Sequence, residues 1–200
     1  MATKVSFFSG ELEMEGLLTL NRTAKGAVIA HPHPLYGGDM FNPVVQTISE
    51  AYEEKGFSTL RFNFRGVGAS QGCYDDGVGE AIDIESAAAF IRSKGVSHVD
   101  LVGYSFGAWV ITKVPPDASR TGRVIFISPP VAFMDMPVSL KIPNLHLVVT
   151  GNRDDIAPPN LIKQRLPHWH PDARLEILNS TDHFYGYATD ALRKALLMNI

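Results

Sequence analysis

The 200-residue sequence contains a single cysteine, Cys73. One cysteine excludes a disulfide within the chain, and chains without disulfides are typical of reducing compartments. Cys73 lies in a predicted loop, and nothing in the sequence indicates that its thiol is reactive. We therefore expect a cytoplasmic protein.

Long apolar runs are also lacking. None approaches the roughly 20 residues that a membrane-spanning helix needs, and the segment Met1–Lys4 does not lead into the apolar core of a signal peptide. Charge of one sign is not in excess either, because 18 basic and 21 acidic residues give a formal net charge of −3. This balance gives no reason to expect a nucleic acid or a membrane as partner, and it leaves the oligomeric state open.

The composition is that of an ordinary globular chain, with 45% apolar and 20% charged residues. Two hundred residues suffice for a sizeable core. Because no repeat, low-complexity tract or linker divides the sequence, we predict one domain over residues 1–200.

Short apolar runs alternate with helical patterns along the chain. The predicted strands are Lys4–Phe8, Glu13–Leu20, Gly26–Ala30, Ser58–Phe62, a run from Val99, Arg123–Ile127, Leu145–Thr150 and Arg174–Leu178. The predicted helices run from Asn42-Pro43 to Gly56, then over Gly79–Lys94, Phe106–Lys113, Asn160–Leu166 and Thr189–Met198. The pattern predicts an α/β fold: a mostly parallel twisted sheet with an N-terminal antiparallel hairpin and helices on both faces. Residues 131–143 are too few for a separate lid domain.

Three local features accompany this pattern. We expect Ile82, Ala89 and Phe90 among the apolar positions of the second helical segment, Gly79–Lys94, and His168–His170 in a packed surface loop. Arg65 follows a predicted strand in a glycine-rich loop, where we expect it to hold the loop by hydrogen bonds. The glycines of that loop do not indicate a dinucleotide site, because no helix opens directly at them.

The sequence Gly-Tyr-Ser-Phe-Gly at residues 103–107 joins an apolar run to a helical segment, with Ser105 at its centre. Flanking glycines permit a sharp turn that exposes the serine hydroxyl. The turn also places Ser105 at a helix N-terminus, where free N–H groups favour the negative charge that forms when a serine attacks a carbonyl.

Three further strand ends carry polar side chains that can act with Ser105. After Ala30, a loop locked by prolines offers the backbone N–H of His33 or Leu35 as an oxyanion donor, with Leu35 slightly favoured. His31 is expected to be a buried, hydrogen-bonded residue, and a zinc site at His31 and His33 is the less favoured alternative.

The later strand ends supply a carboxylate and a histidine. Asp154 and Asp155 follow one predicted strand, and His183 follows the last. His183 can take the proton of Ser105, while a carboxylate fixes the imidazole tautomer. The N–H of Phe106 would be the other oxyanion donor.

These motifs resemble those of a known superfamily. Residues 103–107, the sequence Gly-Asn-Arg-Asp at 151–154 and Asp182–Phe184 resemble the nucleophile elbow, acid loop and histidine loop of α/β-hydrolases, in the same order. Residues 31–38 and 62–72 resemble a small, lidless family of bacterial α/β-hydrolases that is related to dienelactone hydrolases and carboxylesterases. The resemblance covers nearly the whole chain, and it implies an α/β-hydrolase fold with no large lid.

The resemblance also assigns the carboxylate. Asp154 stands at the family position, three residues after Gly151, so the implied set is Ser105, Asp154 and His183. Asp155 is then expected at a surface or helix-capping position, and Asp182 in a turn that positions His183. Dienelactone hydrolases use a cysteine nucleophile, so the serine here argues against that activity.

The sequence therefore predicts a serine hydrolase, carboxylesterase-like, that cleaves a small ester or thioester through an acyl-enzyme, with no cofactor or metal. The alternatives are an amidase or peptidase with the same three residues, and a non-catalytic hydrolase-like binding module. The substrate itself and the choice between ester, thioester and amide are left open.

Overall fold

A central sheet organises the structure, a computed structural model that describes residues 2–115 and 121–200. Its strands are β1 (Thr3–Ser9), β2 (Leu12–Thr19), β3 (Lys25–Ala30), β4 (Ser58–Phe62), β5 (His98–Tyr104), β6 (Thr121–Ile127), β7 (Leu145–Gly151) and β8 (Arg174–Leu178). They lie in the order β1-β2-β4-β3-β5-β6-β7-β8. β1 pairs with β2, and β2 with β4, in antiparallel fashion, whereas the pairs from β4 to β8 are parallel.

Helices cover both faces of this sheet. They are α1 (Pro43–Glu54), α2 (Val78–Ser93), α3 (Phe106–Ile111), α4 (Pro159–Trp169) and α5 (Thr189–Asn199), with a 3₁₀ turn at Pro34–Tyr36. Side chains alternate along each strand, so Val28 of β3 packs in the core beneath α2, α3 and α4, while Ala27 and Ile29 pack with α1 and α5. Burial on both faces explains why the central strands read as continuous apolar runs.

The predicted fold class is confirmed, including the N-terminal hairpin and the mostly parallel sheet. α1 begins as expected, because the Asn42 side chain accepts the N–H of Val44 at 2.9 Å and Pro43 occupies the first turn. Between β6 and β7 the chain forms turns only, and no lid covers the sheet in the described ranges. α3 ends at Ile111, two residues before its predicted end.

The inner face of α2 differs from the prediction. Ile82 and Ala89 are exposed, whereas Ile84 and Ile91 enter the core and Phe90 packs against it half-buried. The hydrophobic pattern does not identify this face, because the buried face of α2 also contains two acidic residues, Glu80 and Asp83. The Asp83 carboxylate accepts from side chains of other elements and the Glu80 carboxylate from nearby backbone N–H groups, which offsets the usual penalty for burying charge.

Those pairings hold the loop that precedes α2. Arg65 donates from Nη2 to Asp83 at 2.8 Å and from Nε at 3.1 Å, and Ser9 donates to the same carboxylate at 2.7 Å. Glu80 accepts the backbone N–H groups of Asp75 and Gly77 at 2.9 and 2.7 Å. The predicted role of Arg65 as a loop anchor is confirmed.

The prediction of a surface loop at His168–His170 is wrong. α4 continues through Pro167 to Trp169, and His170 is its C-terminal cap. The Trp169 ring is 1% exposed and its Nε1–H donates to the carbonyl of Pro137 at 2.9 Å. Burial of a large aromatic ring offsets the backbone hydrogen bond that Pro167 cannot make.

Candidate active site

Ser105 lies at the sharp turn between β5 and α3, with φ 53° and ψ −116°. A left-handed φ is costly for serine and occurs where the surroundings enforce it. Here two glycines permit the close approach: a Cβ at Gly103 would collide with the backbone of Ala108, and one at Gly107 with the backbone of Ala30. The turn therefore presents the serine hydroxyl at the carboxyl end of the sheet.

The imidazole of His183 lies against this hydroxyl, with Nε2 2.9 Å from Oγ of Ser105. The turn after β8 places it there, because the Asp182 carboxylate accepts the N–H groups of Phe184 and Tyr185 at 3.0 and 3.1 Å. The expectation that Asp182 positions the histidine loop is met by these two bonds.

Tyr104, at the end of β5, also holds the loop that contains His183. Its hydroxyl donates to the carbonyl of His183 at 2.8 Å, and its ring centroid lies 5.7 Å from the imidazole. Burial raises the pKa of Tyr104, so the hydroxyl remains a donor.

Asp154 lies on the far side of the imidazole, with both carboxylate oxygens 3.0 Å from Nδ1 of His183. Oδ1 also accepts the N–H groups of Ile156 at 3.0 Å and Ala157 at 2.7 Å. Burial alone would raise the pKa of Asp154, but the hydrogen bonds from His183 and the backbone outweigh it and hold the pKa below its usual value. An ionised carboxylate is acceptor-only, so it places the imidazole proton on Nδ1 and leaves Nε2 free to accept from Ser105.

The structure thus brings Ser105, His183 and Asp154 into one hydrogen-bonded row. Asp155 is exposed and belongs to the surface, as expected. Cys73 is exposed in a loop on another part of the molecule's surface, beside Leu35 and Arg65.

The loop after β3 supplies His33 to the site, and Leu35 lies apart from it. His33 lines the cleft that contains Ser105, whereas the Leu35 side chain is 66% exposed. The Leu35 N–H donates within the loop, to Nδ1 of His33 at 3.2 Å. The Leu35 N–H therefore already has a partner within the loop, and the choice between His33 and Leu35 as oxyanion donor stays a prediction. Phe106, the first residue of α3, has a backbone N–H with no partner inside the helix.

Aromatic rings hold His33 in place. Its ring centroid lies 4.6 Å from that of Phe106, 4.7 Å from Tyr36 and 5.2 Å from Tyr74. Burial lowers the pKa of His33, which favours the neutral ring that accepts the Leu35 N–H.

His31 is fully buried and structural, as predicted. Its Nε2 accepts the N–H of Phe64 at 3.0 Å and its Nδ1 lies 2.6 Å from the carbonyl of Pro32. Burial lowers the pKa of His31 to about 4, so the ring is neutral. Within the described ranges no three His, Cys, Asp or Glu side chains are grouped as metal ligands.

The cleft above Ser105 has a volume of about 400 Å³. Its lining residues are Pro32, His33, Tyr36, Gly37, Gly38, Asn42, Tyr104, Ser105, Ile156, His183 and Phe184. Tyr36 and Phe184 stand at its rim, 86% and 72% exposed. The cleft is mainly apolar, with the polar row of Ser105 and His183 at its base.

A larger cavity of about 750 Å³ lies at the amino ends of the central strands, beside Asp100 and Arg123. These two side chains are paired at 2.7 Å, and Tyr52 donates to the same carboxylate at 3.0 Å. Among the described residues that line this cavity there is no serine, threonine or cysteine.

Two buried hydroxyl groups near the carboxyl end of the sheet were not found from the sequence. Ser128 directly follows β6, and its Oγ lies 2.8 Å from the Tyr185 hydroxyl. Ser128 could have been found by extending the search of strand ends to β6. The residues around Tyr185 in the sequence do not indicate that its hydroxyl is paired, because its partner Ser128 lies 57 positions away.

Comparisons with known proteins agree with this fold. The model of the "Alpha/beta hydrolase family" matches residues 27–198. The protein RP471 of Rickettsia prowazekii (strain Madrid E) is 32% identical over 197 residues, which cover 94% of this chain and 83% of that protein. No helix in the described ranges is both long and apolar enough to cross a membrane.

Two solved structures are similar over almost their full length. An alpha-beta serine hydrolase homologue from Coxiella burnetii has a TM-score of 0.90 at 32% identity, covering 99% of this chain and 97% of its own. XC6422 from Xanthomonas campestris, described as an α/β serine hydrolase without lid, has a TM-score of 0.89 at 29% identity, covering 99% and 93%. The fold of the described residues is that of an α/β-hydrolase without a lid. The chain belongs to the alpha/beta hydrolase family.

Proposed function

We propose that this protein is a serine hydrolase that cleaves small carboxylic esters or thioesters through an acyl-enzyme. The observation that carries the proposal is the distance of 2.9 Å between Oγ of Ser105 and Nε2 of His183, with Asp154 behind the imidazole at 3.0 Å. Ser105 acts as nucleophile, His183 as general base and acid, and Asp154 as the carboxylate that orients His183.

In the acylation step, Oγ of Ser105 attacks the substrate carbonyl carbon while Nε2 of His183 takes the hydroxyl proton. The carbonyl electron pair moves to oxygen, and the N–H groups of Phe106 and His33 stabilise the resulting oxyanion. Collapse of this intermediate breaks the bond to the alkoxide or thiolate. The leaving group takes the proton from His183, and the acyl group remains on Ser105.

Deacylation repeats these steps with water. His183 takes a proton from the water molecule as its oxygen attacks the acyl carbonyl, and the bond to Oγ of Ser105 then breaks. The proton returns from His183 to Ser105. One water is consumed, and one carboxylic acid and one alcohol or thiol are released.

The shape of the cleft supports a small substrate. About 400 Å³ of mainly apolar space, open at a rim formed by Tyr36 and Phe184, fits a short acyl group or the exposed end of a larger molecule. A long acyl chain would extend into solvent, because no lid covers the cleft in the described part of the chain. We therefore assign a carboxylesterase-like activity.

A panel of substrates tests this proposal. The panel contains p-nitrophenyl acetate, butyrate and palmitate, an acyl thioester and a p-nitroanilide, each measured as kcat/KM on the same preparation. We expect acetate or butyrate and the thioester to be cleaved, and Ser105→Ala to remove this activity. Ser93→Ala is the matched control, since Ser93 is exposed on α2.

Each alternative has its own outcome in the same panel. Preference for the anilide would indicate an amidase or peptidase. A higher kcat/KM for the palmitate ester would refute the proposal that the substrate has a short acyl group. A folded wild-type protein that cleaves none of the panel would favour the binding module.

A further inference from the structure

The ring of His31 connects the loop after β3 with the loop after β4. Its Nε2 lies 3.0 Å from the backbone nitrogen of Phe64, whose N–H can only donate. The neutral ring carries a single proton, and that proton is therefore on Nδ1. Nδ1–H donates in turn to the carbonyl of Pro32 at 2.6 Å. Because the ring is fully buried, water does not compete for either bond.

The carbonyl of Pro32 belongs to the same peptide group as the N–H of His33. This peptide bond is trans, so its C=O and its N–H point in opposite directions. With the oxygen held by His31, the N–H faces away from that buried ring. Pro32 and His33 both line the cleft that contains Ser105, and in the described part of the chain the His33 N–H has no hydrogen-bond partner.

The rest of the loop keeps this peptide group from turning. The carbonyl of His33 accepts the N–H groups of Tyr36 at 3.1 Å and Gly38 at 3.0 Å. Gly38 also packs directly against the carbonyl of Pro32, where a Cβ would collide with it. Among the described residues, however, only His31 donates a hydrogen bond to the Pro32 oxygen.

We propose that His31 is a positioning residue for the hydrolysis, because it holds the peptide group whose N–H, that of His33, binds the oxyanion. An N–H that is already oriented needs no rearrangement when the negative charge forms. The hydrogen bond to the carbonyl also polarises the same peptide group, which makes its N–H a stronger donor. The inference rests on the proposed function, in which the His33 N–H is one of the two oxyanion donors.

Two amide side chains separate the two bonds of His31. The amide nitrogen of asparagine can occupy the place of Nδ1, so His31→Asn keeps the donor to Pro32 and loses the acceptor for Phe64. The longer glutamine carries its amide to the place of Nε2, so His31→Gln keeps the acceptor and loses the donor. Tyr52→Phe is the matched control, since it removes a buried hydrogen bond to Asp100 at the amino ends of the strands.

The readouts are kcat and KM for p-nitrophenyl butyrate, the inhibition constant of trifluoromethyl propyl ketone, and the free energy of unfolding. Oγ of Ser105 adds to the carbonyl carbon of this ketone, its proton passes to His183, and the hemiketal oxygen carries the negative charge. The inhibition constant therefore reports binding of an oxyanion without the departure of a leaving group.

We expect His31→Gln to lower kcat about tenfold with little change in KM, and to raise the inhibition constant by a similar factor. His31→Asn and Tyr52→Phe should keep kcat and the inhibition constant near the wild-type values, although their unfolding free energies fall. In a His33→Pro background, which lacks the N–H, His31→Gln should cause no further loss of kcat. In a His33→Ala background, which keeps the N–H, it should cause the full loss.

Three results would overturn the inference: a wild-type kcat in His31→Gln, equal losses of kcat in His31→Gln and His31→Asn, or a full further loss in the His33→Pro background. If the His31 variants do not fold, nitrogen NMR of the wild-type protein decides. A ring proton on Nδ1 of His31 supports the inference, and one on Nε2 overturns it. Failure of the proposed function looks different, because the wild-type protein then neither cleaves the ester nor binds the ketone.

Discussion

The Nδ1 atom of His183 lies 3.0 Å from each carboxylate oxygen of Asp154. This symmetric contact fixes the imidazole proton on Nδ1 and directs the bare Nε2 to Ser105. Asp154→Asn offers an amide group instead, which donates to the ring and favours the opposite tautomer. We expect kcat for p-nitrophenyl butyrate to fall by about 10³-fold or more.

The neighbouring exposed acid supplies the control for this variant. Asp155→Asn makes the same chemical change one residue away, on the surface. Its kcat should equal that of the wild type. Equal losses in the two variants would contradict the assignment of Asp154.

The His33 N–H can be tested separately from the His33 side chain. His33 has φ −57°, a value that proline also adopts, so His33→Pro removes the N–H without changing this angle. His33→Ala removes the ring and keeps the N–H. We expect kcat of His33→Pro to lie roughly 10²-fold below that of His33→Ala. Similar kcat values for the two variants would show that this N–H does not stabilise the oxyanion.

His31 makes the stability of the fold depend on pH. Its pKa is about 4 in the folded protein, against an ordinary value of 6.5 that the unfolded chain retains, so between these values the unfolded chain binds more protons than the native state. The free energy of unfolding is therefore fully retained above pH 6.5 and falls by up to ~3 kcal/mol as the pH is lowered towards 4. Urea denaturation at several pH values measures this slope.

His31→Gln removes the titrating ring and keeps an amide that can donate and accept. The variant should be less stable at neutral pH, because packing against Phe64 is lost. Its unfolding free energy should nevertheless change less between pH 6.5 and 4.5 than that of the wild type. An unchanged slope would show that another group titrates in this window.

A substitution of Trp169 tests whether α4 continues beyond its predicted end at Leu166 and buries this ring. Trp169→Ala leaves a large void in the core and should lower the free energy of unfolding by about 3–5 kcal/mol. Trp109→Ala is the matched control, because the Trp109 ring is only half-buried and should cost less. Guanidinium denaturation of both variants measures the difference. A larger loss in Trp109→Ala would contradict the burial of Trp169.

The features that could be predicted from the sequence are those encoded by neighbouring residues. β4 was predicted with its observed bounds, Ser58–Phe62, because a glycine that ends a helix precedes it and a polar loop follows it. Ser105 was found because a strand, a glycine-flanked turn and a helix follow one another directly. The choice of Asp154 over Asp155 depended on the resemblance to α/β-hydrolases, since both aspartates follow the same strand.

The features that were missed depend on residues far apart in the chain. Asp83 is buried in α2 because Ser9, 74 positions away, and Arg65 donate to it, so hydrophobicity alone selects the wrong helix face. The choice between the N–H groups of His33 and Leu35 depends on the three-dimensional path of the loop. The pairing of Ser128 with Tyr185 likewise forms only when the ends of β6 and β8 come together.

The central claim is that Ser105 is a nucleophile activated by its row of hydrogen bonds. The most direct measurement is fluorophosphonate labelling of the wild-type, Ser105→Ala and Ser93→Ala proteins, followed by mass spectrometry of their peptides. We predict one adduct, on Ser105, in the wild type and Ser93→Ala, and none in Ser105→Ala. An unlabelled, folded wild-type protein, or an adduct on another residue that persists in Ser105→Ala, would contradict the claim.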